Sequence, residues 1–151
     1  MSNVVRVGVV GYVSERFDTV EAWKLVQKGF ETVRRNFPGK TFEVVSTMQD
    51  RGVPQAAYYQ AAQNGWATVG VAPAEVLNEK TWPTDTAKCA GEKWGDEQNA
   101  FLEAVDVVVS VGRNNFSLAT VKEAKKRGLS VHEYKLDDES VVETAVETAS
   151  V

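Results

Sequence analysis

Apolar residues fall along this chain in two rhythms, and the alternation between them predicts the elements. Val4 to Val10 is aliphatic except at Arg6 and Gly8, and Thr41 to Thr47 carries Phe42, Val44 and Val45. Trp66 to Ala72 and Val105 to Val111 are further short apolar runs. Such runs suit parallel strands covered on both faces. Ser130 to Leu136 alternates enough to form an outer strand. The helical rhythm lies between them. Val20, Trp23, Val26, Phe30, Val33 and Phe37 recur at spacings of three and four, which predicts one core-facing stripe. Gln55 to Asn64 is alanine-rich, with Ala57, Tyr58, Ala61 and Ala62 as a face for close approach to a sheet. Asp96 to Ala104 predicts a short helix with Phe101 and Leu102 inward. Ser117 to Arg127 predicts another with Leu118, Val121 and Ala124 buried, and Asp137 to Val151 an acidic closing helix.

Punctuation residues agree with these boundaries. Asp18 with Glu21, and Ser140 with Glu143, have the spacing of capping boxes. Pro38-Gly39 ends the first helix, Pro54 suits a first helical position, and Gly65 and Gly128 suit helix ends. Between Pro73 and Gly95 the rhythm fades, leaving a long loop that carries Trp82, Cys89 and Trp94. Loops of that length are often lids or binding loops; the other reading is a surface excursion whose tryptophans fill the core or an oligomer interface. Five strands alternating with helices predict one α/β domain over 1–151, a three-layer sandwich with a mostly parallel five-stranded sheet. Right-handed crossovers favour the order 3-2-1-4-5. In that order Gly11 to Phe17 and Gly112 to Ser117 face each other across a crevice bordered by Ser46 to Gly52.

Composition narrows the class. With 151 residues, 43% apolar and 25% charged, the chain is ordinary for a soluble globular protein. No apolar run is long enough to span a bilayer and no secretory signal is visible, so no membrane partner is expected. Cys89 and His132 are the only cysteine and histidine, which excludes an internal disulfide and a zinc site built from these types. A cytoplasmic setting, with no cofactor and no metal, is the simplest expectation. The net charge of −4 disfavours nucleic acid as a partner.

Candidate chemistry sits in the crevice loops. Gly112 permits close backbone approach, Arg113 has the fork to meet a phosphate, Asn114 and Asn115 tolerate turn conformations, and Ser117 is placed to cap the helix. A helix N-terminus there favours an anion. The plain alternative is an ordinary turn and cap. The first loop offers Gly11, Tyr12, Ser14 and Arg16; Tyr12 or Phe17 suits stacking on a base, and Arg16 suits an anion or a surface pair with Glu15 or Asp18. Neither Gly-x-Gly-x-x-Gly after the first strand nor Gly-x-x-x-x-Gly-Lys-Ser/Thr is present. His132, within a strand, reads as structural and Cys89 as a spectator, so general acids or bases reduce to carboxylates, chiefly Asp50, Glu123 and Glu133.

Val45-Ser46-Thr47, Gly52 to Tyr58 and Ala61 to Pro73, taken with Asp106 to Leu118 and Gly128 to Leu136, resemble the superfamily that joins the DNA-processing Smf/DprA proteins with the Lonely-guy (LOG) proteins. The resemblance implies a Rossmann-like domain binding a nucleotide or other phosphorylated small molecule, as a dimer or larger homo-oligomer. By position, Gly112 and Ser117 match its phosphate-binding turn, Ser46 and Thr47 the turn after the second strand, and Gly11 to Ser14 the first loop. LOG enzymes, which release a base from a nucleoside monophosphate, use a turn like Pro-Gly-Gly-x-Gly-Thr-x-x-Glu. Here Arg113, Asn114 and Asn115 replace glycines and Thr120 stands where the glutamate belongs, which removes the expected catalytic carboxylate. The leading expectation is therefore a nucleotide-binding protein that senses or sequesters its ligand. An N-glycosidic-bond hydrolase using Asp50 or Glu133, and a non-catalytic interaction module, are the alternatives.

Overall fold

Along Val4–Gly11 (β1) the side chains alternate between two apolar layers, and this period of two builds both cores. The structure, a computed structural model, describes residues 3–139. The other strands are β2 (Thr41–Ser46), β3 (Ala67–Ala72), β4 (Thr86–Cys89), β5 (Val107–Val111) and β6 (Ser130–Tyr134). The helices are α1 (Thr19–Asn36), α2 (Gly52–Gln63), α3 (Gln98–Glu103) and α4 (Asn115–Lys126), with a 3-10 turn at Ala74–Asn78. Val5, Val7 and Val9 of β1 join Val107, Val109 and Val111 of β5 under Val26, Phe30 and Val33 of α1 and Ala57, Tyr58 and Ala61 of α2. Val10, Val45, Val71 and Val108 face the other way, against Phe101, Leu102 and Ala124. Each such aliphatic or aromatic side chain contributes roughly 1.5–3 kcal/mol on burial.

All strand pairs are parallel, in the order β4-β3-β2-β1-β5-β6. The expected three-layer sandwich and the expected order of its five strands hold, and β4 adds a sixth strand at the edge beside β3. Thr86–Cys89 is exposed at every position, so no apolar pattern announces it. It is instead fixed by backbone pairing and by Asp85, whose carboxylate accepts the Thr68 amide at 2.8 Å. Trp82, in the same segment, is core: it packs on Tyr58 and Tyr59.

Helix ends follow the local chemistry with three corrections. Asp18 caps α1, accepting the amides of Val20 and Glu21 at 3.0 Å each. Val20 is 63% exposed and Leu118 45% exposed, so the stripes of α1 and α4 are narrower than their spacing predicts. Helix α2 begins at Gly52, which makes Pro54 its third residue; α4 is capped by Asn114, with Ser117 as the reciprocal partner three residues on. At the opposite end of the sheet from the crevice, Arg6 ties β1 to the start of β5. Its amide donates to Asp106 Oδ2 at 2.8 Å and its guanidinium to Oδ1 at 3.2 Å. Burial pulls the Asp106 carboxyl up, but these bonds and the Arg6 charge outweigh it and hold the group below its ordinary range. The acidic closing helix and its Ser140–Glu143 box lie outside the described residues from 140 onward.

Candidate functional site

The register of β1 against β5 pairs Gly11 with Val111, so the two strands end level and their loops meet. A Cβ on Gly11 would lie 2.0 Å from the Val111 carbonyl oxygen, which only glycine avoids. Gly112, at φ +82°, lets the Tyr12 ring lie where a Cβ would come within 2.5 Å of it. The loops are also stitched by hydrogen bonds: Tyr12 N donates to Val111 O at 3.2 Å, Val53 N to Tyr12 O at 2.8 Å and Gly112 N to Tyr134 O at 3.0 Å. The C-terminal ends of β1, β2 and β5 thereby frame one crevice of about 260 Å³. That is just under the roughly 300 Å³ at which small-molecule sites begin.

Four of the expected residues line this crevice: Gly11, Ser14, Thr47 and Asn114. Tyr12 is nearly buried and supports the turn behind it, and Ser46 is fully buried, its hydroxyl donating to Val9 O at 2.7 Å. Ser117 is buried too; its Oγ accepts Asn114 N at 3.0 Å, and Asn114 Oδ1 accepts Ser117 N at 2.8 Å. Arg16, Arg113 and Asn115 are exposed and are not part of the lining. The expected phosphate turn is therefore largely occupied with holding itself. Asn114 Nδ2 crosses to Gly11 O at 3.0 Å and to the Glu15 carboxylate at 3.3 Å, joining the two loops. Among the described residues no acceptor meets the amides of Asn115 and Phe116 at the start of α4, the position where a helix offers free donors.

The carboxylates singled out as general acids or bases lie elsewhere. Asp50 accepts Gln55 Nε2 at 3.0 Å and pairs with Lys80 at 3.1 Å. The Gln55 bond lowers its pKa, burial opposes, and Lys80 lowers it further, so the carboxylate stays ionised and engaged. Glu133 lies on β6 and pairs with Lys125 at 2.6 Å; Glu123 pairs with Arg127 at 3.3 Å. Thr120, at the position of the missing glutamate, is fully buried in α4. His132 has its Nε2 buried without a partner among the described residues, and Cys89 is exposed on β4. Among the described residues no group of histidine, cysteine, aspartate or glutamate is placed to hold a metal ion. No helix among them is long and apolar enough to cross a membrane.

The crevice also uses residues beyond the named candidates, Gln49 and Arg51 from the stretch expected to border it and Glu79 and Trp94 from the long loop. Gln49, Arg51, Glu79, Trp94 and Phe116 line it, together with Val10, Val13 and Pro54. Gln49 and Thr47 are both buried, and the Thr47 hydroxyl donates to Gln49 Oε1, which leaves the Gln49 amide nitrogen as a donor at the crevice. Met48 between them adopts φ +72°, a conformation that costs a non-glycine residue on the order of 1 kcal/mol or more. It is held by Tyr58 Oη, which accepts Met48 N at 3.2 Å and donates to Val69 O at 3.0 Å, and by Trp82 N on Met48 O at 2.9 Å. Burial pushes the Tyr58 hydroxyl pKa up, so it remains a donor at any ordinary pH. Arg51 and Glu79 pair at 3.1 Å on the crevice rim. Gln49 and Thr81 form an antiparallel bridge that, with Asp50 N on Lys80 O at 3.1 Å, joins the long loop to this site through backbone contacts with no sequence signature.

No family model and no curated relative matches the chain. Its fold is similar to several solved structures. The molybdenum cofactor carrier protein from Chlamydomonas reinhardtii superposes with a TM-score of 0.69 at 18% identity, over 96% of this chain and 86% of that one. The molybdenum cofactor binding protein from the phototrophic bacterium Rippkaea orientalis gives 0.68 at 21% identity, over 97% and 85%. The structural-genomics target TM1055 gives 0.67 at 22% identity, over 84% and 72%. At these identities the likeness speaks for the fold alone: the chain has the Rossmann-like three-layer fold of these solved structures.

Proposed function

We propose that this chain is a small-molecule-binding protein that holds a phosphorylated ligand, a nucleotide or nucleotide derivative, in the crevice between the β1, β2 and β5 loops, and senses or sequesters it. One observation carries the reading. The first turn of α4, which reaches the crevice at Phe116, offers the open amides of Asn115 and Phe116 beside the donors of Gln49 and Ser14, while the one acid among the described lining residues, Glu79, is neutralised by Arg51. Such a site offers hydrogen bonds and a helix N-terminus to an anion and no spare carboxylate, histidine or thiol to cut it. Two proteins of this fold carry names that tie them to the molybdenum cofactor, so that compound belongs beside the nucleotides among the ligands to test. A homo-oligomeric, cytoplasmic protein with one such domain completes the proposal.

Thermal unfolding and calorimetry across a panel of nucleoside monophosphates, nucleotide derivatives and molybdenum cofactor test it. A bound ligand at a hundred times its Kd adds about 2.7 kcal/mol of stability, a rise in Tm of roughly 5–10 °C for a chain of this size. Asn115→Pro then locates the anion. Proline is tolerated at a first helical position and removes one amide donor, and Asn114 before it is already extended at φ −108°, ψ 175°. The variant is expected to weaken phosphorylated ligands and spare their unphosphorylated counterparts, with Asn115→Ala as the side-chain control. A panel without any shift or heat ends the proposal.

A further inference from the structure

Four tryptophans occur in the chain, and three have a structural explanation. Trp23, Trp66 and Trp82 pack against the core on the α1–α2 side of the sheet and each meets another aromatic ring. Trp94 does neither among the described residues; it lines the crevice instead. The backbone that carries it is held with unusual completeness. Four successive amides each end on an acidic side chain. Glu92 N and Lys93 N both donate to Asp96 Oδ2 at 3.0 Å, Trp94 N to Glu75 Oε2 at 2.9 Å, and Gly95 N to Glu97 Oε2 at 2.9 Å. Two further bonds, Ala74 N to Gly91 O at 3.0 Å and Glu75 N to Glu92 O at 2.9 Å, join this loop to the 3-10 turn that follows β3. A large apolar ring left out of the core costs stability by exposure, and a loop clasped at every amide has lost the freedom to bury it.

We propose that Trp94 is the stacking wall of the crevice and that the ligand it receives carries a planar conjugated ring. The inference rests on the small-molecule reading of the crevice and assigns the residue that receives the ligand's ring. Opposite chemistries meet across a short distance there: the apolar lining of Val10, Val13, Pro54 and Phe116 suits a flat ring, and the start of α4 suits an anion attached to it. The carboxylate clasp fixes the indole before the ligand arrives, so little ordering is left to be lost on binding.

The test compares wild type, Trp94→Phe and Trp94→Leu in the full chain, titrated with nucleoside monophosphates and with ribose 5-phosphate, which has the phosphate and sugar but no ring. Trp94→Leu is expected to weaken the nucleotides on the order of 5- to 100-fold, the range that base–aromatic stacking commands, while Trp94→Phe costs less. Ribose 5-phosphate is expected to bind weakly and equally to all three. Bound nucleotide is also expected to quench that part of the wild-type fluorescence that Trp94→Phe removes. Glu75→Ala, which removes the acceptor of Trp94 N, gives a second handle: it is expected to raise acrylamide quenching of Trp94 and to weaken nucleotide binding without altering the far-ultraviolet spectrum. Nucleotides bound equally by wild type and Trp94→Leu, or no more tightly than ribose 5-phosphate, overturn the ring inference and leave the small-molecule reading in place. A wild type that binds neither class overturns both.

Discussion

Glu97 is a fully buried acid whose carboxylate meets the amides of Gly95 and of its own residue, and no cation among the described residues. Burial pushes its pKa up, the bonds from its own amide and from Gly95 oppose, and the neighbouring charges of Asp96 and Glu75 add to the rise. The sign of the resulting pH effect is fixed. Below the ordinary carboxylate range Glu97 is protonated in folded and unfolded chains alike. As pH rises the unfolded chain ionises first, so Glu97 contributes stability that is fully present below its unfolded pKa and is lost as pH passes the raised folded value. The expected outcome is read from urea midpoints of wild type and Glu97→Gln between about pH 4 and about pH 7. The wild type is strongest relative to the variant at the acid end and loses that margin toward neutrality. Parallel curves would mean that Glu97 titrates as an exposed glutamate does.

At the scale of elements, Asn114 carries two loads that a substitution series separates. Its Oδ1 caps α4, and its Nδ2 bridges to Gly11 O and Glu15. Asn114→Ala removes both and is expected to cost about 1–2 kcal/mol in chemical denaturation; Asn114→Ser keeps a capping oxygen and removes the bridge, and is expected to fall between. If Asn114→Ser matches the wild type, the bridge between the β1 and β5 loops contributes nothing. The same residue shows what the sequence made legible. A polar cluster after a valine run marks a turn before a helix, and the helix, the strand and the crevice follow from it. Which of Asn114 and Ser117 is the cap does not follow, because both types serve and only the backbone decides. Asp18 and Gly65 were readable for the opposite reason: each had one role that its chemistry suits. β4 was not readable, because Thr86–Cys89 buries no side chain and is held by main-chain bonds. Gln49 and Trp94 are fixed by the Gln49–Thr81 bridge and the Trp94 N–Glu75 bond, contacts between residues 32 and 19 positions apart that leave no periodicity behind.

Across the whole molecule, stability is graded from the centre of the sheet to its β4 edge, and that gradient is where the functional proposal meets the fold. β1 is paired on both sides, by β2 and β5, and is covered by both apolar layers. β4 is a four-residue edge strand, exposed throughout, and the segment beyond it carries the Trp94 clasp through the carboxylates of Asp96, Glu75 and Glu97. Local opening needs only the contacts of the opening unit to be given up, so amides in this segment open at a small fraction of the roughly 5–15 kcal/mol that global unfolding of a domain requires. Hydrogen exchange on the free chain is therefore expected to be slowest for Val7, Val9 and Val107–Val111, and faster by orders of magnitude for 86–97. A ligand wedged between Trp94 and the start of α4 stabilises only the states in which both walls are formed. Exchange in 92–97 and 114–117 is then expected to slow with added ligand, while β1, already limited by global unfolding, slows only by the overall gain in stability. Protection of 86–97 equal to that of β1 in the free chain would remove the gradient. Slowing confined to segments remote from the crevice would place the ligand elsewhere.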